Sequence, residues 1–208
     1  VLVKDIMTRQ VVAIGPEMPI GDANALMEQR NIRHFPIMEA DKLIGIISDR
    51  DIRLVGSEHP KAPKGVRLKD SVRKIMITRV ITAHPLEPIE EAAKVLQSEK
   101  IGAMPVVQDG ELVGIVTAID FLDALTRMTG VYQASSRLEV ELGNQPGELA
   151  ELLRHIAEDN IGVSSIMTTR SDPEALTFVL RVNTMHGRKL AQRLSEQGFH
   201  VLWPVDKL

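Results

Sequence analysis

Cysteine is absent from the 208 residues, which removes disulfides, thiolate metal sites and cysteine nucleophiles together. A reducing, cytoplasmic setting is the natural expectation. Aromatic residues are scarce at 3%, with a single Trp and a single Tyr, so the packing must be mainly aliphatic. No apolar run reaches the roughly 20 residues needed to cross a bilayer. The first ten residues carry charge at Lys4 and Asp5 and leave no signal-peptide stretch. Charge of one sign is also lacking: the net value is -3 and the pI about 6.1, so no global field attracts nucleic acid or anionic lipid. What is present is a 44% hydrophobic composition, ample for a core. The length suits one large domain or two small ones of roughly 100–150 residues each.

An internal repeat sets the organisation. Shifting the chain by 69 positions, so that Val3 meets Val72, aligns it with itself without gaps. Ile6-Met7 falls on Ile75-Met76, Pro16 on Pro85, Pro19-Ile20 on Pro88-Ile89, Pro36 on Pro105, Gly45-Ile46 on Gly114-Ile115 and Asp51 on Asp120. Each copy reads as strand, helix, strand, strand, helix. In the first copy, 11–14 is a β-branched strand stopped by Pro16 and Pro19. Apolar residues at 20, 23, 26 and 27 then form one helix face. Two strands follow, over 35–38 and 43–47, with a polar turn between them; in the second copy that turn holds Asp109-Gly110, a strong hairpin signal. A last helix starts near Asp51, and near Asp120 in the second copy. Repeat one spans 1–55, a Pro-, Gly- and Lys-rich linker 56–69, and repeat two 70–128.

The final third does not continue the repeat. Leu138, Val140 and Leu142 alternate with Glu139 and Glu141 as in a half-wet strand. A turn at Asn144-Gln145-Pro146-Gly147 leads into a helix with Leu149, Leu152, Leu153 and Ile156 on one face. Strands over 163–169 and 175–182 flank a turn at 171–173. A helix over 187–196 stops at Gly198, and a strand over 199–204 follows. Strand–helix–strand–strand–helix–strand is the split, ferredoxin-like order.

The most informative residues close each repeat: Gly45-Ile-Ile-Ser48-Asp-Arg-Asp51 and Gly114-Ile-Val-Thr117-Ala-Ile-Asp120. A hydroxyl and a carboxylate stand three residues apart where a strand hands over to a helix. An ionised carboxylate only accepts, which suits the paired hydroxyls of a ribose. A hydroxyl and free helix N–H groups suit phosphate. The same residues also make an ordinary helix cap.

On these residues the two repeats resemble paired cystathionine-β-synthase (CBS) domains, whose tandem forms a Bateman module. The resemblance implies pseudo-twofold packing and two clefts for adenosine compounds such as AMP, ADP or ATP. It places Asp51 and Asp120 at the ribose and Ser48 and Thr117 on the phosphate side. The stretches Arg33-His34-Phe35-Pro36 and Gly102-Ala103-Met104-Pro105 match the cleft lining, as do Thr8-Arg9 and Ile77-Thr78. The copies differ: Arg33, His34, Arg50 and Arg53 stand where the second copy has Gly102, Ala103, Ile119 and Leu122. Guanidinium groups suit phosphate, so one cleft is expected to favour phosphorylated ligands, unless those arginines only solvate the surface.

The segment 134–205 resembles an ACT domain, with Asn144, Gln145, Pro146, Gly147, Glu148 and Leu149 as its signature turn. In that family the turn faces a neighbouring ACT domain, with a small effector such as an amino acid between them; many such domains only dimerise. The expected class is therefore α+β (α/β): two CBS repeats in a Bateman module, then a βαββαβ ACT domain. This order is similar to the bacterial acetoin-utilisation family, which sets acetoin or acetyl-CoA metabolism as the context.

Other chemistry is thin. The six histidines, 34, 59, 84, 155, 186 and 200, show no metal-ligand spacing, and no Walker, dinucleotide or Gly-x-Ser-x-Gly motif occurs. No catalytic cofactor is implied. The expected function is a non-catalytic sensor. Its partners are an adenine nucleotide, a second copy of the chain and a target enzyme. The rivals are an enzyme acting on nucleotides, for which Asp51 and Asp120 each stand alone in their motifs, and a dimerisation scaffold with vestigial clefts.

Overall fold

The computed structural model describes residues 1–170 and 175–204; the expected turn at 171–173 and position 205 lie outside the described residues. The chain divides into two compact units, Val1–Leu122 and Asp123–Leu208.

In the first unit a short helix α1 (Val3–Ile6) precedes α2 (Ile20–Arg30), the hairpin β1 (His34–Glu39) and β2 (Lys42–Ser48), and α3 (Asp49–Leu54). The second copy follows with a 3-10 turn at Val72–Lys74, α4 (Ile89–Glu99), the hairpin β3 (Ala103–Gln108) and β4 (Glu111–Thr117), and α5 (Ala118–Met128), which runs on past the unit boundary. Ile20, Ala23 and Met27 bury one face of α2, and Ile89, Ala92 and Leu96 one face of α4, as their spacing predicts. Both hairpins turn through two residues of positive φ, Ala40 and Asp41 in one and Asp109 and Gly110 in the other. Such turns match the twist of the strands they join.

The expected first strand of each repeat does not form. It shrinks to a single parallel bridge, Ile14 on Ile37 in one copy and Ala83 on Val106 in the other. Ile14 donates its N–H to Pro36 and accepts from Met38. The chain then meets Pro16, or Pro85 in the second copy, which has no N–H to extend a ladder.

The repeats trade their leading segments. Val3 N–H donates to the Glu87 carbonyl and Val72 N–H to the Met18 carbonyl, both at 2.9 Å. Ile20 N–H reaches Asp70 and Ile89 N–H reaches Val1. The bridges Thr8 to Ile115 and Ile46 to Ile77 obey the same exchange. Each bond recurs with the repeats interchanged, which is pseudo-twofold packing. Val72 accordingly lies in the core of the first repeat, with Ile14, Ile20, Met27, Phe35, Ile37, Ile47 and Ile52.

The stretch read as a linker is anchored where it meets α2, since the Leu68 carbonyl accepts from Gly21 at 2.8 Å. Asp70 accepts from Arg67 N–H at 2.8 Å and from Lys74 Nζ at 3.0 Å. The Arg67 amide first, and then Lys74, hold its carboxyl below 3.8. A depressed folded-state pKa stabilises above the unfolded value and loses that stabilisation as pH falls through the folded one. Asp70→Asn is therefore expected to flatten the acid limb of a melting-temperature profile below 3.8. The effect is small because the pair is exposed.

The second unit contains β5 (Ser136–Gly143), α6 (Glu148–Glu158), β6 (Val163–Arg170), β7 (Ala175–Val182), α7 (Gly187–Glu196) and β8 (His200–Trp203). All pairings are antiparallel, in the order β6-β7-β5-β8, the ferredoxin-like arrangement. Leu138, Val140 and Leu142 from β5 pack with Leu152 and Ile156 of α6 and with Leu190, Ala191 and Leu194 of α7. Gly187 is required where α7 starts, because a Cβ there would lie 2.6 Å from the Ser136 Cβ.

Candidate functional site

The end of β2 and the start of α3 hold Ser48 and Asp51 in a reciprocal cap. Ser48 N–H and Oγ–H both donate to Asp51 Oδ2, at 2.8 and 2.6 Å. Asp51 N–H returns a bond of 3.3 Å to Ser48 Oγ. In the second repeat Thr117 N–H and Oγ1–H both donate to Asp120 Oδ2 at 2.7 Å. The capping use of these residues is thus realised, and it leaves a consequence for binding. The cap bonds fall on Oδ2 of each half-buried Asp, and among the described residues none falls on Oδ1. Capping and ribose recognition are compatible on the same side chain.

The exchange of leading segments decides which residues meet. Ile77 pairs antiparallel with Ile46, two residues before Ser48, so the leading segment of the second repeat runs along the strand that ends at the first acidic site. Thr8 pairs antiparallel with Ile115, two residues before Thr117, through bonds of 2.9 and 3.0 Å, so the leading segment of the first repeat runs along the strand that ends at the second. Each site therefore draws on both repeats. The approach is close here: a Cβ on Gly45 would lie 2.8 Å from Met76 Sδ and 3.3 Å from the Ile77 carbonyl, and one on Gly114 2.6 Å from Met7 Sδ and 3.2 Å from the Thr8 carbonyl.

The other expected residues fall into two sets. Phe35, Pro36, Ala103, Met104 and Pro105 are buried. Arg33 and Arg50 are exposed. Arg53, paired with Asp49 at 2.5 Å with its side chain 71% exposed, is a surface ion pair, which corrects its place in the expected arginine set. Arg9 Nη2 donates to the Lys4 carbonyl.

His34 is the residue whose setting the sequence does not convey. Its Cα is paired with that of Ser48, and its ring reaches Gly102 of the other repeat, Nε2 lying 2.9 Å from where a Cβ would stand. Burial lowers its pKa below the usual 6.5; Asp49 and Asp51 act against that, while Arg33 and Arg50 add to it.

In the second unit, Asn144, Gln145, Pro146 and Gly147 form an exposed turn, with Gly147 at φ 100 as the N-cap of α6. Glu148 and Glu151 occupy the first turn of α6 and complement its positive end. Leu149 packs against the core. At the opposite end of β5 an open cleft of about 540 Å³, lined by Ser136, Arg137, Met185, His186, Arg188 and Trp203 among others, has no counterpart in the sequence reading. Among the described residues no group of three or more His, Asp or Glu could hold a metal, and no helix is long and apolar enough to cross a membrane.

Comparison with known proteins agrees on the first two thirds of the chain. The CBS domain protein YhcV of Bacillus subtilis is 33% identical over 118 residues, 57% of this chain and 81% of that protein. Inosine-5′-monophosphate dehydrogenase of Thermoplasma acidophilum is 39% identical over 118 residues, 56% of this chain, but the match spans only 22% of the enzyme. The CBS domain pair of protein MJ0100, solved with 5′-methylthioadenosine and S-adenosyl-L-methionine, aligns with a TM-score of 0.54 at 32% identity, over 61% of this chain and 97% of that one. A Vibrio cholerae protein assigned to acetoin utilisation, AcuB, aligns with a TM-score of 0.54 at 33% identity, over 63% of this chain and 94% of that one. The CBS domain family matches twice, at residues 3–58 and 72–127. The reciprocal bridges, the paired caps and this double match make the chain a member of the CBS domain family, carrying two copies in tandem.

Proposed function

We propose that the chain is a non-catalytic regulatory protein whose CBS pair binds adenosine-containing ligands of the AMP, ADP and ATP class. Asp51 and Asp120 hold the ribose, and Ser48, Thr117, Thr8, Arg9 and Thr78 surround the remainder. The observation that carries this reading is the duplicated carboxylate with Oδ1 left to accept, each beside a leading segment of the other repeat. The adenosine compounds held by the MJ0100 pair support the same ligand class. Occupancy would change how the two repeats press on each other, provided the ligand binds two states unequally. The second unit is proposed to be an ACT domain serving dimerisation. Glu148 and Glu151 already meet the positive end of α6, which disfavours capture of an effector carboxylate there. Ile119, Leu122, Leu125 and Met128 form an exposed apolar stripe along α5, suited to a homodimer contact. Control of a target enzyme in acetoin metabolism, in the cytoplasm, completes the proposal, the likeness to AcuB supporting that context.

The test replaces both acids by asparagine. Asn keeps an oxygen for the cap, so the fold is retained, but it turns the second acceptor into a donor. Asp51→Asn with Asp120→Asn is expected to weaken AMP and ATP binding roughly 10- to 100-fold by calorimetry, the worth of hydrogen bonds to a charged group. Unchanged affinity would remove the ribose assignment.

A further inference from the structure

We infer that His34 makes the first cleft discriminate phosphorylated from unphosphorylated adenosine ligands, by taking up a proton from solvent as the phosphate arrives. The inference deepens the proposed ligand function and rests on it. Its basis is a break in the pseudo-twofold symmetry. The ring of His34 lies against Gly102, with Nε2 and Cε1 at 2.9 and 3.1 Å from the site of a Cβ; no side chain on Gly102 contests that space. The equivalent of His34 in the second repeat is Ala103, so the second acidic site has no ring to charge.

The charged groups acting on His34 are Asp49 and Asp51 at the start of α3, Arg50 between them, and Arg33 next to it in sequence. From the second repeat, Gly102 brings backbone only. Burial is the largest influence and favours the neutral imidazole; Asp49 and Asp51 oppose it more than Arg33 and Arg50 assist it, without reversing the direction. A phosphate drawn by the two guanidinium groups adds up to two negative charges to this balance. The ring then gains a reason to protonate, and both its nitrogens become donors. Adenosine brings no such charge and leaves the ring neutral. Gly102 also accepts from Ala118 N–H at 3.1 Å, the first residue of α5, so the charged ring would press on the segment that presents Asp120.

Calorimetry on the full chain with AMP and with adenosine, near pH 7 in two buffers of different ionisation enthalpy, counts the protons exchanged. The wild type is expected to take up more protons per AMP than His34→Gln, and no more than that variant with adenosine. The preference for AMP over adenosine should fall several-fold in the variant. Gly102→Ala supplies a second route, since its methyl displaces the far end of the His34 ring rather than any backbone; it should lower the proton count in the same direction with His34 still present. Equal proton counts and equal preferences in wild type and His34→Gln, with AMP still bound, would overturn the inference alone. Failure of wild type to bind either compound would overturn the ligand reading, and the inference with it.

Discussion

Alanine at Phe35 is expected to destabilise the first unit by about 3–5 kcal/mol, the range for emptying a buried phenylalanine site. The ring is 0% exposed, inside a cluster with Ile14, Ile20, Met27, Ile37, Ile47, Ile52 and Val72. Phe35 belongs to β1, whose backbone is bonded on one side to β2 and on the other to Ile14, so the strand cannot collapse into the void. The cluster is otherwise aliphatic. The contribution is also shared between the repeats, because Val72 reaches this core from the second copy. A cavity there loosens the contact between the copies as well as the hairpin. The equivalent residue, Met104, is 1% exposed. Met104→Ala should cost about 2–5 kcal/mol, toward the lower end because a flexible thioether leaves a less defined hole. Urea denaturation followed by far-UV circular dichroism reads both. A loss below about 1 kcal/mol for Phe35→Ala would mean that the core is not packed to the usual density.

The same residue illustrates what the sequence conveys and what it does not. The 69-position register from Val3 to Val72 makes the duplication plain, since it needs no structural knowledge. Apolar spacing at Ile20, Ala23 and Met27 points to the buried face of α2 because helical geometry imposes it. Asp109-Gly110 announces its turn because few residues tolerate two successive positive φ values. In the second unit the alternation of Leu138, Val140 and Leu142 carries the strand for the same kind of reason.

Packing partners are another matter. Val3 to Glu87 and Val72 to Met18 are backbone bonds, and backbone donors look alike in every residue. The exchange of leading segments therefore leaves no side-chain pattern, and Thr8 and Arg9 could not be assigned to the Asp120 side from order along the chain. The extended run at 11–14 has the composition of a strand but lacks a ladder, because prolines at 16 and 36 limit the donors on both sides. Phe35 stands in the stretch that resembles the cleft lining, yet it is fully buried where its neighbour His34 is half-buried, a difference set by packing rather than by sequence order. Glycine at positions 45 and 114, opposite Met76 and Met7, was the one available sign that the copies approach each other closely there.

Those glycines carry the other large expected effect. Gly114→Val should destabilise the first unit by about 1–3 kcal/mol through overpacking and should impair ligand binding at the Asp120 site while sparing the Asp51 site. A Cβ at Gly114 meets Met7 Sδ at 2.6 Å, Met7 Cγ at 3.1 Å and the Thr8 carbonyl at 3.2 Å. The thioether can swing aside, since its rotamers are many. The Thr8 carbonyl cannot, because it accepts from Ile115 at 3.0 Å while Thr8 N–H donates back at 2.9 Å. The strain that remains falls on the bridge that ties the leading segment of the first repeat to the strand ending at the second site. Gly45→Val meets Met76 Sδ at 2.8 Å and the Ile77 carbonyl at 3.3 Å, so it should impair the first site by the same route. Adding Met7→Ala to Gly114→Val clears the sulfur but not the carbonyl. The double variant should regain stability more fully than ligand affinity. Calorimetric stoichiometry with AMP checks the pattern: each glycine variant is expected to lose one site and keep the other. Equal weakening of both sites by either variant would mean that the bridges support the unit as a whole rather than the cleft each one adjoins.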